Sequence, residues 1–98
     1  MSFLETVQRH ARLIILRTLV EDVSYSGNDS AITDVASLYG VDRGRDFIRA
    51  ECRWLEGVGA VTTREVGGTL IVTATARGVD HVERRIVIDG VKRPSPGA

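Results

Sequence analysis

Gly67-Gly68, set between Ala60-Val61-Thr62-Thr63-Arg64-Glu65 and Thr69-Leu70-Ile71-Val72-Thr73-Ala74, most limits what this chain can fold into. Both flanks carry the β-branched residues of strands, and adjacent glycines supply the positive φ values of a tight hairpin. A two-stranded hairpin is marginal alone in water, so this one has to rest on helices.

The residues before the hairpin read as three helices. Ser2 to Asp22 contains neither Gly nor Pro, and Ser2 with Glu5 forms a capping-box pattern. Between Leu13 and Val20 this helix is apolar nearly all round, broken only by Arg17 and Thr18. Such a helix is covered on more than one side, and a second copy of the chain is the expected extra cover, through Leu4, Ala11, Ile15 and Leu19. Ser24 to Ser30 is a polar, turn-forming loop. Asn28, Asp29 or Ser30 then caps a second helix bearing Ile32, Val35, Ala36 and Tyr39, which Gly40 ends. The third helix spans 42–56, with Ile48, Cys52 and Leu55 inward and a stop near Gly57 or Gly59. After the hairpin, Thr75 caps a short fourth helix to about Arg85. The expected order is helix, helix, helix, strand, strand, helix: a mainly α domain over 1–88 with a small β-hairpin. Residues 89–98, with both prolines, are expected as a flexible tail or one that docks on a partner.

Thirteen basic and thirteen acidic residues cancel, which counts against gripping nucleic acid by bulk charge and leaves a local basic patch open. A lone cysteine, Cys52, forms no internal disulfide and fits a reducing cytoplasm. Charged residues interrupt the N-terminal apolar run before a signal peptide's core can form, and no run approaches the roughly 20 apolar residues of a membrane span. A cytoplasmic protein is expected. His10 and His81 stand alone, without zinc-ligand spacing, and Gly57-Val58-Gly59 follows a helix where a dinucleotide fingerprint needs a strand. No cofactor, metal or catalytic activity is expected.

Leu38-Tyr39-Gly40-Val41, the run Trp54-Leu55-Glu56-Gly57-Val58-Gly59-Ala60-Val61, the Gly-Gly hairpin and Thr73-Ala74-Thr75-Ala76-Arg77-Gly78 together resemble the winged-helix domain of ArsR- and MarR-type regulators. The whole chain is similar to a small protein family of Mu-like prophages, in its start at Ser2-Phe3-Leu4-Glu5-Thr6-Val7-Gln8-Arg9 and its end at Gly90-Val91-Lys92-Arg93-Pro94-Ser95-Pro96-Gly97. The resemblance implies a winged helix-turn-helix fold and a phage or prophage setting. Winged helices also bind proteins, so fold alone does not choose the partner.

With Ile48, Cys52 and Leu55 inward, 100° per residue puts Arg43, Arg49 and Arg53 on the outward arc with Asp46 and Ala50, and Arg45 at its edge. Between Arg43 and Leu55, four arginines against Asp46 and Glu51 leave this stretch of the helix positive by two. Arginine suits bidentate contact with guanine or phosphate. Double-stranded DNA is the expected partner of a homodimer, read by Arg43, Arg45, Arg49 and Arg53, with Arg64, Gly67 and Gly68 on the backbone or minor groove. Two alternatives stand beside it: a solvated face laced with ion pairs, and an interaction module for a phage or host protein. Phe47 and Trp54 read as packing residues, and Cys52 as a buried one.

Overall fold

Burial of one helix by all the others sets the architecture. The computed structural model describes residues 1–96. α1 (Phe3–Glu21) opens with the expected capping box: Glu5 N–H donates to Ser2 Oγ at 3.0 Å and Ser2 N–H to Glu5 Oε1 at 3.4 Å. There follow β1 (Ser26–Asn28), α2 (Asp29–Leu38), α3 (Arg45–Gly57), β2 (Val61–Val66), β3 (Thr69–Ala74) and α4 (Ala76–Val82).

Three antiparallel strands form the sheet, in the order β1-β3-β2. The hairpin turns at Gly67-Gly68 as expected, with φ of +56° and +80°, and sets Val66 opposite Thr69. β1 corrects the sequence expectation of a loop over Ser24 to Ser30. No strand-forming residue announces it; the free edge of β3 recruits it, pairing Gly27 with Val72, and Ser26 Oγ meets Thr73 Oγ1 at 2.7 Å. The fold is therefore α+β, four helices and a three-stranded sheet, with more β structure than a mainly α domain bearing one hairpin.

Two helix ends obey one rule. At Gly40 (φ +90°), Val41 N–H reaches Ala36 O at 2.9 Å while Gly40 N–H reaches Ser37 O at 3.1 Å. At Gly59 (φ +81°), Ala60 N–H reaches Leu55 O and Gly59 N–H reaches Glu56 O. Both are Schellman closures, which need a left-handed residue and place an apolar one after it. Val41 and Ala60 are that apolar residue, and both are buried. α3 begins later than the expected 42, since Gly44 at φ +84° holds 41–44 out of helix, and α4 stops at Val82, short of Arg85.

Ala11, Ile15, Leu16 and Leu19 of α1 are wholly buried among α2, α3, α4 and β3. This corrects the expected dimer stripe: Ala11, Ile15 and Leu19 are covered by their own chain, and only Leu4 of that set is exposed. The missing cover came from the presumed tail. Ile88 and Val91 are buried in the core, and Lys92 N–H donates to Arg9 O of α1 at 3.1 Å. His81 fastens the segment to α4, accepting Ile88 N–H at Nδ1 (3.0 Å) and donating from Nε2 to Lys92 O (2.9 Å). Arg12 fastens it to α3: its Nη1 donates to Gly90 O at 2.9 Å, its Nε to Glu51 Oε1 at 2.7 Å, and its guanidinium lies 3.7 Å from the centre of the Trp54 ring. Residues 89–92 thus belong to the packed body; 97–98 of the expected tail lie outside the described residues. Among the described residues no helix is long and apolar enough to cross a membrane.

Candidate functional site

One carboxylate organises the face where α3 meets the hairpin. Asn28 caps α2 through its side chain, which leaves the next residue, Asp29, free to turn inward. Asp29 is completely buried and its Oδ2 accepts Arg45 Nε at 2.8 Å and Arg49 Nη1 at 2.6 Å. Its Oδ1 accepts Ser30 N–H at 3.0 Å, and the Leu70 N–H also bonds to the carboxylate. Burial works to raise the Asp29 carboxyl, but the bonds from Arg45, Arg49 and Leu70 outweigh it and hold the group below its ordinary range. Arg49 is raised in return, chiefly by its bond to Asp29.

From there a ladder climbs the hairpin at one rung per helical turn. Arg45 Nη2 donates to Gly68 O at 2.8 Å; Arg49 Nη2 and Arg53 Nη2 both donate to Glu65 Oε1, at 2.8 and 3.0 Å. Arg53 Nη1 donates to Thr63 Oγ1, whose own hydroxyl donates to Glu56 Oε1 at 2.7 Å, and Thr63 N–H donates to Glu56 Oε2. These bonds from Thr63 are the main reason the Glu56 carboxyl is lowered. Residues at i, i+4 and i+8 of α3 share one face, and alternate residues of β2 share another, so the two periods meet in register.

Of the expected contact residues, the structure brings Arg45, Arg49, Arg53 and Gly68 into this ladder. Arg43 and Arg64 stay outside it, both exposed, Arg43 near the Phe47 ring and Arg64 on the opposite face of β2 beside Ile71. Gly67 forms the exposed tip with Gly68. Glu51 departs from the expected charge count, since it is buried against Arg12 and takes no part in the outward face. Local sequence gives no site role to Glu56, Thr63 or Glu65, and offers Asp29 only as a candidate helix cap. Their signal is a contact between distant segments, which no local spacing encodes. Cys52 is buried as expected, and burial first, then the negative charges of Asp29 and Glu51, push its thiol up to about 12. Burial therefore favours the protonated thiol.

Two relatives are similar over almost the whole chain. The uncharacterized protein gp26 of Escherichia phage Mu is 40% identical over 87 residues, 89% of this chain and 90% of its own length. An uncharacterized protein of Haemophilus influenzae is 38% identical over 97 residues, 98% of this chain and 94% of its own. No protein-family model matches the chain, and no solved structure matches it.

Proposed function

Because the chain belongs to the family of the phage Mu protein gp26, we propose that it is a non-catalytic, DNA-binding winged-helix protein of a phage or prophage, acting in the cytoplasm of the bacterial host. One observation carries this reading: α3 is clipped alongside a glycine-tipped hairpin, and Arg43, Arg45, Arg53 and Arg64 remain exposed around the pair. In the order α1-β1-α2-α3-β2-β3 we read β2 and β3 as the wing and α3 as the recognition helix. The ladder fixes wing against helix before any DNA arrives, so little ordering cost falls on binding. α3 enters the major groove, and the hairpin tip approaches the backbone or minor groove.

Binding to duplex DNA across a salt series tests this. The unpaired Arg43 and Arg64 give a log-log slope of about −1.8, which steepens to about −3.6 where Arg45 and Arg53 exchange Asp29 and Glu65 for phosphates. Arg43→Ala and Arg64→Ala, which break no ion pair, each reduce that slope by about 1. Wild-type protein that shows no salt-dependent affinity at low salt rules the proposal out.

A second reading, an interaction module for a phage or host protein, is supported by the pairing of Arg49 and Arg53 with acidic residues of their own chain. Those guanidiniums must leave a carboxylate to meet a phosphate. Under this reading DNA affinity is absent and a protein partner survives Arg43→Ala and Arg64→Ala.

A further inference from the structure

The described residues hold a second charged surface, and its cations are not paired. Where the C-terminal segment crosses α1, a cleft of about 560 Å³ opens between α1, the turn after α2, and residues 87–93. Val7, Val41, Ile88 and Val91 line it, the last three buried in the core. Arg9, Lys92 and Arg93 line it as well, against one carboxylate, Asp89. Among the described residues none of these three cations lies in an ion pair, whereas Arg45, Arg49 and Arg53 all do. His10 also lines the cleft, its ring Nδ1 3.3 Å from Lys92 Nζ; burial first, and Lys92 next, hold its imidazole toward the neutral form. The local charge is therefore that of the lysine and arginines, less Asp89.

Apolar surface continues past the cleft. Tyr39 and Val87 stand at its mouth 64% and 57% exposed, and Leu38, next to Tyr39, is 83% exposed. A small anion would occupy only a fraction of the cleft and leave these three side chains in water. A polypeptide segment covers both, one side chain inside and its neighbours along the rim.

We propose that this cleft docks an acidic, amphipathic segment of a partner protein, with a Leu, Ile or Phe side chain held among Val7, Val41, Ile88 and Val91 and flanking carboxylates on Arg9, Lys92 and Arg93. Apolar contact supplies the anchor, and the three unpaired cations select the sign of the flanks. None of these residues belongs to α3 or the hairpin, so the docking site is independent of whether α3 meets DNA.

The test pans the full chain against a library of random dodecapeptides and titrates the retained peptides, as synthetic probes, into wild type and variants. Retained peptides combine an aliphatic or aromatic residue with two or more Asp or Glu. Their affinity falls at least tenfold in Arg9→Glu/Lys92→Glu/Arg93→Glu and is unchanged in Arg49→Ala/Arg53→Ala, which separates this site from the DNA-facing one. If the triple variant does not fold, Arg93→Glu alone, on an exposed side chain, lowers affinity about threefold, as does Tyr39→Ala. Retained peptides without acidic residues, or equal affinity for the charge-reversed chain, overturn the proposal. So does a result in which dodecanoate binds the cleft and no peptide does, since the occupant is then a small amphiphile.

Discussion

Asp29 shows how much one side chain fixes. Removing its charge leaves two guanidiniums facing each other across Gly68 O, although both keep partial access to water (48% and 25% exposed), which softens the loss. Asp29→Asn is expected to cost about 1–3 kcal/mol at neutral pH. The sign with pH follows from the lowered carboxyl: its stabilisation is complete above the unfolded value near 3.9 and disappears as pH falls through the folded one. Denaturation followed from pH 7 to 2 should therefore show the wild type losing stability below about pH 4 and the variant losing less. Arg84 makes the opposite case. It closes α4 at φ +63°, with Arg85 N–H on Asp80 O at 2.8 Å and Arg84 N–H on His81 O, where the other two helices use glycine. A left-handed residue with a Cβ costs about 1–2 kcal/mol, partly offset by glycine's extra freedom when unfolded. Arg84→Gly should raise the unfolding free energy by about 0.5–1 kcal/mol, read from the midpoint of a urea titration.

Among the elements, α4 is placed by a missing side chain. Gly78 lies so close to the strand entry that a Cβ there would sit 2.3 Å from Ala60 O and 3.1 Å from a methyl of Leu16. Neither Ala60 O, which already accepts Thr75 N–H, nor the α4 backbone has room to yield. Gly78→Ala should cost about 3 kcal/mol, seen as a lower melting temperature with α4 displaced. The Thr75-Ala76-Arg77-Gly78 step was legible in the sequence as a helix start, but Gly78's reason is a contact with residue 60 that no periodicity reports. The same division runs through the other elements. The capping box, the glycine-ended helices and the hairpin turn follow from neighbouring residues and are legible in the sequence. β1 and the ladder on Asp29 depend on pairings between remote segments. Helical spacing brings Arg45, Arg49 and Arg53 near one arc of α3, whereas the occupation of their donors by Glu65 and Gly68 O depends on where the hairpin docks.

For the whole molecule, the decisive contact joins α1 to the segment after α4. The all-round apolar pattern of α1 correctly demanded a second cover, and residues 88–91 supply it where another chain was expected. Gly90, at φ +91°, passes so near Trp54 that an added Cβ would lie 2.6 Å from the ring. Gly90→Ala should release the segment without unfolding the sheet: amide exchange accelerates at Ile88, Val91 and Lys92 while β3 stays protected. Uniform acceleration through β3 would mean instead that the segment and the sheet open as one unit. Released residues would also dismantle the cleft, so this variant loses any ligand held between Arg9 and Lys92.

The bond between Arg9 O and Lys92 N–H also has a consequence in time. α1 is translated well before residues 88–92, and its Arg9–Arg12 side is finished only when they arrive. Ring closure over so long a stretch is slow compared with forming α1 itself. A growing chain therefore passes through a period in which helix, sheet and hairpin have their parts but α1 still shows bare flank. Whatever meets that flank during synthesis competes with residues 88–92 for the same ground.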